Sequence, residues 1–175
     1  MQITRIEAIP IRIPLKPERR MISALGKHDF SDFTLVVMHT DDGLFGLGEA
    51  TVTPRWSGET AFGAKALIEN VFTPVLLGCD PLEIAEIDAR LDAVAVDNWF
   101  AKAAIEMACW DIAGRAVGQP IFDLLGGRCR PLTIRNRFSL GAYAPEVAAD
   151  RARERVAVGF DTIKVKVGVD PATDV

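Results

Sequence analysis

Two lysines near the end of the given sequence are two residues apart, a spacing that would let them act together in acid–base chemistry on a strand. Lys164 and Lys166 alternate with the β-branched residues Ile163, Val165 and Val167. Because side chains alternate across a strand, the lysines share one face and the apolar residues the other. In a covered sheet the two ammonium groups would lower each other's pKa, and a neutral lysine is a usable general base. On a solvent-facing strand the same pattern gives two ordinary lysines in water, so both interpretations stay open here.

The charge balance restricts the partners of the 175-residue chain. It carries 20 basic and 24 acidic side chains, a net charge of −4. This argues against nucleic acid or an anionic membrane as the main partner. No apolar run approaches the roughly 20 residues that span a bilayer, and the first residues do not resemble a secretion signal. We therefore expect a cytoplasmic protein.

Thiol and imidazole groups are few and scattered. The three cysteines, Cys79, Cys109 and Cys129, form no CxxC pair, and the two histidines are His28 and His39. A structural zinc site or a disulfide framework is therefore not expected. We interpret each cysteine as a small, buried, apolar residue.

The N-terminal part of the chain is predicted to be a strand and a β-hairpin. Residues 3–15 alternate and contain two prolines, which excludes a helix. Residues 33–40 and 44–49 are predicted strands joined by Asp41-Asp42-Gly43, since Asp-Gly between apolar runs is a strong hairpin signal. Residues 16–32 have no periodicity and are predicted to form a long exposed loop.

Helices are predicted to follow the hairpin. One covers 61–71 with Ser57 as its N-cap, and Asp80–Glu83 resembles a capping box before an apolar stripe that ends at Val94. A longer helix covers 98–117 and stops at Gly118. Its predicted buried face is rich in small residues, so another element can approach it closely; the face consists of Ala101, Ala104, Ile105, Ala108 and Ile112.

The last 45 residues change in character. Residues 133–140 and 162–167 are predicted strands, with a helix at 145–158 between them. Such a βαβ unit has parallel strands. We therefore expect two domains, 1–130 and 131–175, of which the second is incomplete because two strands make no stable sheet.

The order of these elements, together with two helical phrases, resembles a known family. The phrases are Met107–Gly114 and Gly118–Gly127, and the Lys164-Val165-Lys166 strand follows them. The chain resembles the mandelate racemase and muconate lactonizing enzyme branch of the enolase superfamily over nearly its whole length. The resemblance implies an α+β capping domain (strand, β-hairpin, helices) followed by the start of a (β/α) TIM-type barrel, truncated after the second barrel strand.

The resemblance also implies a reaction. Lys166 would remove the proton next to a carboxylate, giving an enolate, and Lys164 would tune its neighbour and touch the substrate carboxylate. Lysine bases with Mg²⁺ are typical of such sites. The implied activities are isomerase reactions, namely racemization or cycloisomerization, or dehydration, on a small carboxylate substrate by a homo-oligomer.

Two loops would complete the pocket by the same resemblance. Ile22 and Ser23 lie in the first of the family's substrate-selecting loops, and Arg55 and Trp56 in the second. Trp56 would form a wall of the site, and Arg55 would pair with an anionic substrate. A rim tryptophan and a solvated arginine are the alternatives.

The metal ligands of the family have no counterpart in this sequence. They lie on later barrel strands, and the aspartates Asp161, Asp170 and Asp174 do not match them, so no metal ligand is assigned. Glu49 and Asp111 are interpreted as structural carboxylates. We expect the N-terminal portion of a Mg²⁺-dependent enzyme, inactive alone. The alternative is a non-catalytic, truncated, cap-like binding or assembly module.

Overall fold

A computed structural model describes residues 1–170 and Ala172. The strands are β1 (Ile3–Pro14), β2 (Met21–Ser23), β3 (Gly26–His28), β4 (Phe30–Thr40), β5 (Phe45–Val52), β6 (Phe138–Leu140) and β7 (Ile163–Val165). The α-helices are α1 (Pro54–Ser57), α2 (Ala61–Leu67), α3 (Thr73–Leu76), α4 (Ile84–Val94), α5 (Trp99–Val117), α6 (Ile121–Leu124) and α7 (Pro145–Ala157). A 3-10 turn covers Pro17–Arg19, and a π-helical turn, Ile68–Phe72, joins α2 to α3.

The described chain forms two compact units. The first contains Met1–Ile13 and Ser31–Cys129, and the second contains Pro14–Phe30 and the described residues from Arg130 onward. None of the helices in the described part of the chain combines the length and apolar character that crossing a membrane requires.

The first unit is a three-stranded sheet with helices on one face. Its strand order is β1-β4-β5, and β4 and β5 pair antiparallel with Val36 opposite Gly48. The predicted hairpin is confirmed, since Gly43 turns the chain at φ 86° and the Asp42 carboxylate accepts the Leu44 N–H. The hydrogen bond from the Thr40 hydroxyl lowers the pKa of Asp42 below its usual range.

The core of this unit lies between the sheet and the helices α2 to α5, and β5 packs directly on α5. Residues of β5 alternate between buried and exposed, and the buried set begins with Gly46 and Gly48. A Cβ on Gly48 would lie 2.8 Å from the Ala104 carbonyl carbon, so the strand backbone touches the helix backbone. The prediction that the small-residue face of this helix admits a close neighbour is confirmed.

Two predicted helix starts are wrong. Thr60, and not Ser57, caps α2, since its hydroxyl accepts the Gly63 N–H, whereas Ser57 ends α1. Asp80 accepts the Leu82 N–H at 3.0 Å and so forms a turn before α4, which begins at Ile84. In both places the predicted capping side chain bonds a backbone group outside the helix that it was expected to cap. Ser57 bonds the Thr53 N–H and carbonyl, and Asp80 accepts the Leu82 N–H.

The cysteine prediction is confirmed at one position and wrong at another. Cys109 is buried in the core, and burial raises the pKa of its thiol to about 12, so the group stays protonated. Cys79 is half-buried. Cys129 is exposed, because it lies in the surface segment that follows the Gly126-Gly127 turn.

The second unit contains two small sheets. The segment predicted to be a long loop instead forms an antiparallel hairpin of β2 and β3, with Met21 opposite His28. β6 and β7 pair in parallel, with Phe138 opposite Ile163, as the βαβ pattern predicts. These strands are shorter than predicted, because their ladder covers three residue pairs.

Candidate active site

Lys164 is the middle residue of β7, and Lys166 lies just past the carboxyl end of the strand. Lys164 is exposed and stands opposite Ser139 of β6 in the register. Lys166 follows the strand directly, is half-buried, and donates its backbone N–H to the Leu140 carbonyl at 3.3 Å. Because β6 and β7 are parallel, Lys166 and Gly141 both lie at the carboxyl-terminal end of the sheet. Barrel enzymes carry their catalytic residues at this end of the strands.

In the part of the chain that the structure describes, the valines beside the two lysines are exposed to solvent. Val165 and Val167 are 57% and 60% exposed. Confinement of the lysines by a covered sheet therefore stays a prediction.

The β2–β3 hairpin brings Ile22 to the same end of the sheet. The Ile22 carbonyl accepts the N–H of Ala142, just after β6, at 2.9 Å. Its side chain is 36% exposed. The Ser23 hydroxyl accepts the Leu25 N–H at 3.3 Å and donates to the Gly26 carbonyl at 3.4 Å, so it stabilises the hairpin turn. Ile22, Ser23 and both lysines thus belong to the second unit.

Arg55 and Trp56 lie on α1 in the first unit. Trp56 is 71% exposed, and its ring centroid lies 5.8 Å from that of Phe100 at a tilted angle. The Ser57 hydroxyl bonds the Thr53 N–H at 3.1 Å and the Thr53 carbonyl at 3.0 Å, which closes this short helix. Their predicted contacts with substrate stay predictions.

Glu59 is a structural residue of this region that the sequence interpretation missed. It is buried, and its two carboxylate oxygens accept the backbone N–H groups of Phe100 at 2.9 Å and Ala101 at 3.0 Å. A carboxylate at this position satisfies two donors and complements the positive end of α5. The sequence next to α5 does not reveal this cap. Asn98, at the N-cap position of α5, is a typical capping residue, but its side chain donates to the Val96 carbonyl instead.

Replacing Glu59 by alanine is expected to lower the free energy of unfolding by about 2 kcal/mol, because two buried N–H groups lose their acceptor. Glu59→Gln keeps one acceptor oxygen and is expected to lose about half as much. Urea unfolding followed by circular dichroism measures both. Equal stability of Glu59→Ala and the wild type would contradict this capping role.

The carboxylates near the candidate site are engaged in the fold. Asp161 pairs with Arg135 at 3.0 Å, and Asp170 accepts the Ala172 N–H, whereas Asp174 lies outside the described residues. Within residues 1–170 and 172, no three His, Cys, Asp or Glu side chains come together as a metal site would require.

The structural interpretation of the two remaining carboxylates is confirmed. Asp111 accepts the Leu47 N–H at 2.9 Å and pairs with Arg115 at 3.0 Å, which joins α5 to β5. Glu49, near the end of β5, accepts the hydroxyl of Thr51 at 2.8 Å.

Comparison with protein families identifies the first unit. The model of the mandelate racemase / muconate lactonizing enzyme N-terminal domain matches residues 6–126. The chain belongs to this family. The resemblance inferred from the helical phrases and the lysine pair is thereby confirmed, and so is the α+β fold of the capping domain.

Individual relatives carry out different reactions. Cis-3-hydroxy-L-proline dehydratase of Roseibium aggregatum is 34% identical over 176 residues, covering 100% of this chain and 47% of the relative. N-succinyl-L-Arg/Lys racemase of Bacillus cereus is 32% identical over 178 residues, covering 100% and 47%. Hydrophobic dipeptide epimerase of Enterococcus faecalis is 34% identical over 175 residues, covering 100% and 48%. The chain thus spans about half the length of the curated relatives it matches.

Solved structures of two of these proteins superpose closely. The Bacillus cereus racemase gives a TM-score of 0.95 at 31% identity, with 99% of this chain and 46% of that chain covered. The Enterococcus faecalis epimerase, complexed with Mg and the dipeptide L-Leu-L-Tyr, gives 0.91 at 33% identity, covering 99% and 48%.

Proposed function

We propose that this chain supplies the capping domain and the lysine base of an enzyme that removes a proton next to a carboxylate. In this proposal residues 1–130 form the cap and residues 131–175 begin a (β/α) barrel. The observation that carries it is the position of Lys166 directly after the carboxyl end of β7, bonded to the parallel strand β6, with Lys164 two residues before it. Membership of a family that contains racemases and epimerases supports this assignment.

Lys166 is the proposed base. The electron pair on its Nζ takes the α-proton, the C–H electrons form a carbon–carbon double bond, and the π electrons of the carboxylate C=O move onto oxygen to give the enolate. Its backbone bond to Leu140 fixes the start of its side chain against β6. Lys164, two residues earlier in the chain, is proposed to bind the substrate carboxylate.

The proposed substrate is a small carboxylate. Ile22 and Ser23 would contact it from the β2–β3 hairpin, and Arg55 and Trp56 from α1. The exposed ring of Trp56 offers an apolar wall, and the cation of Arg55 suits an anionic group. These four residues are expected to select among racemization, cycloisomerization and dehydration substrates.

The complete enzyme is proposed to require Mg²⁺, which supplies positive charge that stabilises an enolate when bound. The structure of the related dipeptide epimerase contains Mg. The described residues of this chain do not fit such a site, since no three potential ligands converge among them. In the proposed enzyme this chain contributes the base and the carboxylate contact, and no metal ligand is assigned to it.

Deuterium exchange tests this function. The complete gene product is incubated in D₂O with Mg²⁺ and a panel of carboxylates: N-succinyl-L-arginine, L-Leu-L-Tyr and cis-3-hydroxy-L-proline. Mass spectrometry is expected to detect deuterium at the α-carbon of at least one compound. Absence of exchange from the whole panel by a folded protein would favour the non-catalytic cap-like module.

A further inference from the structure

Tyr143, the only tyrosine of the chain, joins three segments of the second unit. Its hydroxyl donates to the Arg20 carbonyl at 3.0 Å, just before β2. Nη1 of Arg151, on α7, donates to the same hydroxyl at 3.2 Å. The Arg151 guanidinium also lies 4.4 Å from the centre of the tyrosine ring, which fixes the ring from its face.

The residues before Tyr143 contact the same stretch of hairpin backbone. Ala142 donates its N–H to the Ile22 carbonyl at 2.9 Å. A Cβ on Gly141 would lie 3.0 Å from the Ile22 carbonyl oxygen and 3.1 Å from the Ile22 nitrogen, so a side chain here would press on the hairpin backbone. Gly141–Tyr143, which we call the anchor segment, therefore binds the backbone of β2 and the residue before it.

The hairpin depends on these contacts for its position. β2 and β3 pair over three residues, and an isolated two-stranded hairpin of this size is marginally stable in water. The anchor segment acts on backbone atoms, so it can hold the hairpin whatever side chains the hairpin presents. Tyr143 lines a cavity of about 210 Å³ together with Arg19, Met21, Ser139 and Arg151 among others.

We propose that Tyr143 is a positioning residue that holds the β2–β3 hairpin, and with it Ile22 and Ser23, at the carboxyl end of β6. Arg151 fixes the phenol in the orientation that donates to Arg20. The consequence for substrate binding rests on the proposed function, whereas the mechanical role does not.

Hydrogen exchange tests the mechanical role directly. In Tyr143→Phe, the Ala142 N–H is expected to exchange roughly fivefold faster, because one hydrogen bond of the anchor is lost. The Lys166 N–H, which bonds Leu140 outside the anchor, is the internal control and is expected to keep its rate. An unchanged Ala142 rate in Tyr143→Phe overturns the proposal.

Trypsin cleavage gives a second measurement with a matched pair of variants. Arg19, Arg20 and Lys27 offer cleavage sites in the hairpin segment. Arg151→Met is expected to speed cleavage there about threefold. Arg155→Met removes the neighbouring arginine of α7, which lies over Phe138 instead, and is expected to leave the rate unchanged. Equal rates in the two variants, or faster cleavage only in Arg155→Met, overturn the role of Arg151 in the anchor.

Enzyme kinetics separate this proposal from the proposed function. With a substrate found in the deuterium panel, Tyr143→Phe in the complete gene product is expected to raise KM about fivefold and leave kcat within twofold. A changed kcat with unchanged KM contradicts positioning through the hairpin. If no compound exchanges, the proposed function fails, while the hydrogen exchange and cleavage results still decide the role of Tyr143.

Discussion

Replacing Lys166 by methionine is expected to lower α-deuterium exchange by the complete gene product about 10²- to 10⁴-fold, the contribution of a positioned general base. Methionine is close to lysine in length but has no group that can accept a proton. The backbone bond from residue 166 to Leu140 does not depend on the side chain, so the β6–β7 pairing is expected to persist.

The matched control is Lys65→Met. Lys65, on α2, bonds the Ala8 carbonyl and Glu69 and belongs to the first unit, so its loss is expected to leave exchange within twofold. Lys164→Met is expected to weaken substrate binding and to raise KM. Retained exchange in Lys166→Met would exclude Lys166 as the base, even with the same family fold.

Local patterns in the sequence predict the elements that local contacts stabilise. The Asp42-Gly43 turn and the small face of α5 are examples, because each depends on residues adjacent in the chain or one helical turn apart. The alternation that predicts one shared face for Lys164 and Lys166 is also a local pattern, but β7 ends at Val165, before Lys166.

Long-range contacts account for what the sequence interpretation missed. The hairpin of β2 and β3 is held by Tyr143, which is 123 positions away from Arg20, so residues 16–32 show no periodic signal of their own. Glu59 caps α5 from 41 positions away, whereas its own neighbours suggest the first turn of α2.

Replacing Gly48 by alanine is expected to lower the free energy of unfolding by about 4 kcal/mol or more, at the upper end of single substitutions. The added Cβ would lie 2.8 Å from the Ala104 carbonyl carbon and 3.2 Å from its Cα, with the carbonyl oxygen closer still. These are backbone atoms in the middle of α5, so a rotamer change cannot relieve the overlap. Either β5 leaves its ladder with β4, or α5 moves off the sheet.

Two control variants separate this backbone clash from other effects of a glycine substitution. Gly43→Ala adds a methyl group where no atom lies within 4 Å, but at φ 86°, and is expected to lose only about 1–2 kcal/mol. Ala104→Gly combined with Gly48→Ala is expected to give no rescue, because the obstructing atoms are those of the residue-104 backbone. Urea unfolding of Gly48→Ala, Gly43→Ala and the double variant measures their free energies of unfolding. Stability of Gly48→Ala within 1 kcal/mol of wild type would contradict direct backbone contact between β5 and α5, on which the shape of the capping domain depends.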